Sequence, residues 1–255
     1  MEPTTGAARG GRPTVLVFAG LDPSGGAGIA ADIMAVAAQG AHALPVVTAL
    51  TVQDNNRVHE VQPVTAALIV RQALALAESC AIGAVKIGIP GNRANAEAIA
   101  GVLAMLRARH PALPVVLDPV LASGKGDALA RGGALYALEP LLALATVLVP
   151  NLPEAEALKG VRCEHLLVTG GHGDGDTVVN TWFSAGESRA WAWPRLPGEF
   201  HGSGCTLAAA IAARLALGEA PALAFENAQA YCHRALAESF AIAPGQRIPQ
   251  RFIQP

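Results

Sequence analysis

Charge is scarce in this sequence: Asp, Glu, Lys and Arg make up 15% of the residues and the formal net charge is -2. A protein that grips a polyanion needs a basic stripe, and none is present, so no nucleic-acid partner is expected. Cysteine is equally sparse. Cys80, Cys163, Cys205 and Cys232 stand far apart with no CxxC pair. That spacing argues against a zinc site or a redox dithiol and fits reduced thiols in a cytoplasmic protein. Long apolar runs are missing as well. Even LAAAIAARLALGEAP is cut by Arg214 and Glu219, and nothing reaches the roughly 18 residues of a membrane span. The opening MEPTTGAARGGRP has no apolar stretch before Val15. Residues 1–12 therefore read as a flexible tail and not as a secretory signal. The phosphate-loop pattern GxxxxGK[ST] is absent, which disfavours the nucleotide enzymes built on it.

What is present is an apolar, glycine- and alanine-rich chain, 52% hydrophobic over 255 residues. That is enough for one sizeable core, with residues 13–255 read as a single domain. Short apolar runs alternate with helical stretches. Strands are expected at Val15–Ala19, Leu44–Leu50, Ala84–Gly88, Pro114–Asp118 and Thr146–Val149. Helices fit Ile29–Gln39, Val64–Glu78, Ala94–His110 and from about Arg131 to Leu142. This rhythm defines an α/β fold with a mostly parallel sheet covered by helices on both faces. Beyond Asn151 it changes to a short helix Pro153–Lys159, a strand His165–Thr169, a hairpin over Thr177–Phe183 and Ser188–Trp193, and closing helices Cys205–Leu217 and Pro221–Phe240.

Several segments carry chemistry-bearing residues. Phe200-His201-Gly202-Ser203-Gly204-Cys205-Thr206 stands directly before an apolar helix. Its glycines allow close backbone approach, and the free amides of the first helical turn suit an anion such as a phosphoryl group; a tight turn is the plainer reading. At that helix start the dipole is expected to lower the Cys205 pKa and make it a base, against the alternative of a small buried thiol. Gly20 to Gly28 follows the first strand, where open α/β sheets bind ligands. Asp32, in the apolar stretch IAADIMAV, calls for a partner or ligand unless it lies on a solvated helix face. In NLPE, Asn151 and Glu154 suit either a hydrated magnesium ion or a helix cap. Lys86 and Asp118 each end a strand. The Gly/Asp-rich loop 170–176 lacks the spacing of a calcium loop.

Taken together, AGLDPSGGAGIAAD, VVTALTVQDN, VKIGI, VVLDPV, PNLPEAEAL and HGSGCT resemble the hydroxymethylpyrimidine/phosphomethylpyrimidine kinases, over about Val15 to Leu217. The resemblance implies the ribokinase-like fold, ATP as co-substrate and Mg2+. It implies phosphorylation of 4-amino-5-hydroxymethyl-2-methylpyrimidine and then of its monophosphate on the thiamin route, in the cytoplasm, with a homodimer compatible. By motif position, Gly20, Asp32 and Gln53 would hold the pyrimidine, an edge of donors and acceptors. Cys205 would be the base, and Gly202, Ser203 and Gly204 with it the anion hole. Asp118, Asn151, Glu154 and Thr169 would face the nucleotide, with Asn151 and Glu154 holding magnesium through water. The family usually carries lysine where this chain has Thr169, and a longer segment between PNLPEAEAL and LLVTGG. Two alternatives accompany this reading: a pyridoxal or pyridoxine kinase, and a non-catalytic pyrimidine-binding protein with a reduced nucleotide site.

Overall fold

β1 (Thr14–Leu21) is the spine of the molecule. Its residues alternate between two cores, as the two-residue period of a strand dictates. Val15, Val17 and Ala19 join the core under α1 (Gly28–Ala38), α6 (Ser203–Ala216) and α7 (Pro221–Ala237). Leu16 and Phe18 join the opposite one, under α2 (Ala66–Ser79), α3 (Arg93–Arg109) and α4 (Ala134–Leu142). A strand buried on both faces reads as a continuous apolar run, and TVLVFAGL is one.

The computed structural model describes residues 11–122, 126–127, 129–130 and 132–252. The expected tail therefore lies outside the described residues except for Gly11 and Arg12, and so does the expected helix start at Arg131. One nine-stranded sheet runs in the order β3-β2-β1-β4-β5-β6-β7-β8-β9. β2 (His42–Gln53), β4 (Ile82–Ile87), β5 (Val115–Leu117), β6 (Val147–Leu148) and β7 (His165–Val168) extend the parallel part from β1. β3 (Val58–Pro63) pairs antiparallel to β2 at one edge. The hairpin of β8 (Thr177–Ser184) and β9 (Glu187–Pro194) closes the other.

The parallel strands all point their carboxyl ends to one rim, where the loops after β1, β4, β5, β6 and β7 collect. α6 runs beneath the sheet with Thr206 through Ala213 all buried. Alanine dominates that stretch, so the helix packs close to the strands and delivers its N-terminus to the same rim. α5 (Leu152–Ala157) starts there too. Among the described residues no helix is long and apolar enough to cross a membrane.

The sequence reading of the elements holds with boundary shifts of a few residues, and it missed β3. VHEVQP carries a histidine, a glutamate, a glutamine and a proline, because an edge strand with both faces partly in water needs no apolar run.

Candidate active site

A cleft of about 610 Å³ opens along the rim. Its wall includes Gly20 and Gln53 at one end, and Asp118, Gly202, Ser203, Gly204 and Cys205 in the middle. Asn151, Glu154 and Thr169 stand on the other side. Asp32 is not on the wall. It is fully buried on α1, with Lys86 of β4 between it and the cleft: Lys86 Nζ donates to Asp32 Oδ2 at 2.8 Å, and both side chains are 0% exposed.

The Gly202–Cys205 loop and the loop after β1 interlock backbone to backbone. Gly202 caps α6 in the left-handed region (φ 74°), which favours glycine, and a Cβ there would collide with the Gly26 carbonyl. Asp22 staples the two loops. Its carboxylate accepts from Ser24 N at 2.8 Å and Ala27 N at 2.7 Å, and pairs with His201 Nε2 at 2.8 Å. Burial tends to raise the Asp22 pKa, but the His201 and Ser24 hydrogen bonds outweigh it and hold the carboxyl below its ordinary value. Two helix starts, Gly28 of α1 and Ser203 of α6, thus converge on Cys205.

Cys205 stands close enough to Asp118 and to the Gly28 amide for each to act on its ionisation. The sequence implied a lowered Cys205 pKa; the structure reverses the sign. Desolvation, with Asp118 and Asp32 adding to it, outweighs Lys86 and the Gly28 amide and pushes the thiol up to about 12. A helix N-terminus lowers the pKa of a well-hydrated thiol; Cys205 is half-buried, and desolvation together with the nearby Asp118 and Asp32 favours its neutral form. Desolvation also pushes Asp32 and Asp118 up to about 6, with Lys86 opposing in both cases and Glu154 adding to the rise at Asp118. Lys86 remains a cation. Burial would lower its pKa, but Asp32, then Cys205 and Asp118, raise it above the ordinary value.

A carboxylate whose folded pKa lies above its unfolded one favours the fold at low pH. That contribution fades as pH rises from about 4 to about 6. Asp118→Asn is therefore expected to stabilise the metal-free protein at pH 7.5 by on the order of 2 kcal/mol and to leave it unchanged at pH 4. Chemical unfolding in a chelator at both pH values checks this; an equal effect at both removes Asp118 as the origin.

NLPE folds as a complete capping box. Asn151 Oδ1 accepts from Glu154 N, and Glu154 Oε2 accepts from Asn151 N, each at 2.9 Å. The Leu121 amide reaches Glu154 Oε1 at 3.3 Å. Among the described residues no group of three or more His, Cys, Asp or Glu is arranged to hold a metal. Asp118 Oδ2 is nevertheless buried without a hydrogen-bond partner, beside the Glu154 carboxylate. An orphaned carboxylate oxygen next to a second acid suits a magnesium ion that keeps most of its waters and takes further ligands from phosphates.

Thr169 lies next to Asn151 through a parallel bridge, its amide on Pro150 O at 2.9 Å. The loop beyond it turns its carbonyls onto an internal cation: Arg195 donates to Gly175 O at 2.5 Å, Gly173 O at 2.6 Å and Gly171 O at 2.9 Å. The carbonyls of this Gly/Asp-rich loop thus hold a guanidinium. Sequence reasoning left Arg195 unremarked, since its partners lie in a loop on the far side of the β8–β9 hairpin in sequence. It singled out Lys86 as out of place in an apolar run and assigned it no role. The signal for Lys86 was there; its partner, 54 residues away, was not visible.

This fold, with a glycine-rich loop at a helix start on the rim and buried carboxylates nearby, is that of the small-molecule kinases of the ribokinase-like class. The family model for phosphomethylpyrimidine kinase matches residues 22–165 and 158–249, and the chain belongs to that family. A hydroxymethylpyrimidine/phosphomethylpyrimidine kinase of Rhizobium meliloti is 36% identical, over 91% of this chain and 93% of its own. Among solved structures, a Bacillus subtilis pyridoxal kinase in complex with ADP superposes with a TM-score of 0.83 at 26% identity, covering 94% of this chain and 97% of its own. A phosphomethylpyrimidine kinase from Clostridium difficile superposes with a TM-score of 0.71 at 29% identity, covering 86% and 97%.

Proposed function

We propose that the protein transfers the γ-phosphoryl group of ATP to 4-amino-5-hydroxymethyl-2-methylpyrimidine and then to its monophosphate, with Mg2+, in thiamin biosynthesis. The observation that carries this reading is the placement of Gln53, Gly20 and the Gly202–Cys205 loop on one cleft, at the rim where α/β sheets bind ligands. The Gln53 amide offers a donor and an acceptor to an aminopyrimidine edge. Asp32 acts from behind, through Lys86. The amides of Ser203, Gly204 and Cys205 take the oxygens of the phosphoryl group in flight. As the acceptor oxygen bonds to phosphorus, its proton passes to Cys205 Sγ while the thiol proton passes to Asp118, so that neither a free thiolate nor a free alkoxide forms. Magnesium, held near Asp118, Asn151 and Glu154, would neutralise phosphate charge. The reading is that of a cytoplasmic protein, compatible with a homodimer, with small-molecule partners and neither membrane nor nucleic acid.

A second reading, phosphorylation of pyridoxal, is favoured by one observation: the fold matches a pyridoxal kinase more closely than the phosphomethylpyrimidine kinase, with TM-scores of 0.83 and 0.71. Purified protein with ATP and magnesium, offered the hydroxymethylpyrimidine, its monophosphate, pyridoxal and ribose in parallel, decides between them. Turnover of the first two is expected. Faster turnover of pyridoxal would replace the first reading with the second, and no turnover of any acceptor would leave a pyrimidine-binding protein.

Glutamine serves a capping box as well as glutamate does. Glu154→Gln therefore removes a charge and spares the helix start. The magnesium concentration for half-maximal rate is expected to rise by roughly tenfold; an unchanged requirement would reduce NLPE to a cap.

A further inference from the structure

Arg251 comes from the last described segment of the chain and is 1% exposed. Its side chain runs beneath the anion loop. Nη2 donates to Gly26 O at 2.5 Å and lies 3.4 Å from Gly202 O, while Nε donates to Thr206 Oγ1 at 2.9 Å. Thr206 in turn donates to Gly202 O at 2.7 Å, and Tyr231 holds the Arg251 carbonyl at 2.9 Å. Nη1 is buried with no hydrogen-bond partner.

No carboxylate among the described residues forms an ion pair with this guanidinium. Its ionisable neighbours are Cys205, Tyr231, Cys232 and Asp32. Burial keeps the two thiols and the phenol protonated near neutral pH. Asp32 is already paired with Lys86. Arginine does not lose its proton in proteins, so a full positive charge sits buried and uncompensated directly behind a helix N-terminus. Such a charge is stabilised by an anion, and the place open to one is the cleft side of Gly202–Cys205.

We propose that Arg251 is the buried counter-charge of the anion loop: a positioning residue that fixes the Gly26 and Gly202 carbonyls away from the cleft and draws a phosphoryl dianion to the start of α6. It touches neither acceptor nor nucleotide and acts through the backbone it holds. The inference rests on the kinase reading for the identity of the anion, not for its existence.

The test is titration of the full chain with inorganic phosphate by calorimetry, which requires no turnover, together with rates of both phosphorylation steps. Arg251→Met is expected to weaken phosphate binding about tenfold or more and to lower kcat of both steps by about 10- to 100-fold. The KM of the hydroxymethylpyrimidine should stay within about twofold, since Gln53 is untouched. Arg251→Lys keeps the charge and should bind phosphate within about threefold of the unmodified chain. Undiminished phosphate affinity in Arg251→Met would overturn the proposal. So would a loss in Arg251→Lys as large as that in Arg251→Met, which marks a merely structural tie. Should Arg251→Met fail to fold, Arg251→Lys decides by itself, and a loss beyond about tenfold counts against the counter-charge. If the unmodified chain binds phosphate but phosphorylates no acceptor, the kinase reading fails and the phosphate titrations still decide the role of Arg251.

Discussion

Cys205→Ala is expected to slow phosphorylation of the hydroxymethylpyrimidine by about 10²–10⁴-fold while sparing the second phosphorylation far more. In the first step the acceptor is a neutral alcohol whose proton must leave as the phosphorus–oxygen bond forms. In the second it is a phosphate monoester, largely anionic at neutral pH, that needs positioning and the anion loop but no base. Alanine leaves the amides of Ser203, Gly204 and residue 205 in place. The structure sharpens the reason for the first loss. On the proposed mechanism the thiol, its pKa pushed up to about 12, would work as one link of a pair, passing its proton to Asp118 as it receives another. Alanine breaks that pair. Each step is measured separately with purified acceptors and saturating ATP. Equal losses would show that Cys205 shapes the loop, and no loss in either step would return it to a small buried thiol.

Lys86→Met is expected to destabilise the protein by about 3–5 kcal/mol at neutral pH, the largest stability effect in the site. Lys86 and Asp32 are both 0% exposed, and Asp32 Oδ1 already lacks a hydrogen-bond partner. Removing the ammonium leaves a buried carboxylate without its ion-pair partner. Since burial already raises the Asp32 pKa, loss of Lys86 raises it further and the acid protonates at higher pH. The destabilisation should therefore shrink as pH falls below about 6. Adding Asp32→Asn to Lys86→Met removes the stranded charge and should recover most of the loss. Denaturant unfolding of the single and double variants at pH 7.5 and pH 5 checks this. A double variant no more stable than Lys86→Met would mean that the lysine is held for Asp118 and Cys205, not for Asp32.

The capping box and the charge network show how far local reasoning reaches. In NLPE, Asn151 and Glu154 are three residues apart, and helix geometry alone brings them together. The competing magnesium role depends on Asp118, which stands 33 residues before Asn151 and meets this helix start only because β5 and β6 are neighbours in the sheet.

The sequence by itself determined the α/β architecture and the rim on which chemistry is placed. Those follow from period and from local rules: an apolar run buried on both faces at Val15–Ala19, glycines where backbones cross at Gly28 and Gly202, helix starts after strand ends. Only the tertiary structure decided the electrostatics. Cys205 stands at the start of a helix, where a local rule lowers a thiol pKa, yet burial beside Asp118 and Asp32 raises it. Asp32 is turned from the cleft to Lys86, and Arg251 lies under a glycine 225 residues before it. The reason is that desolvation and Coulomb interactions depend on distance in space and on exclusion of water. Sequence separation carries no information about either until the sheet is assembled.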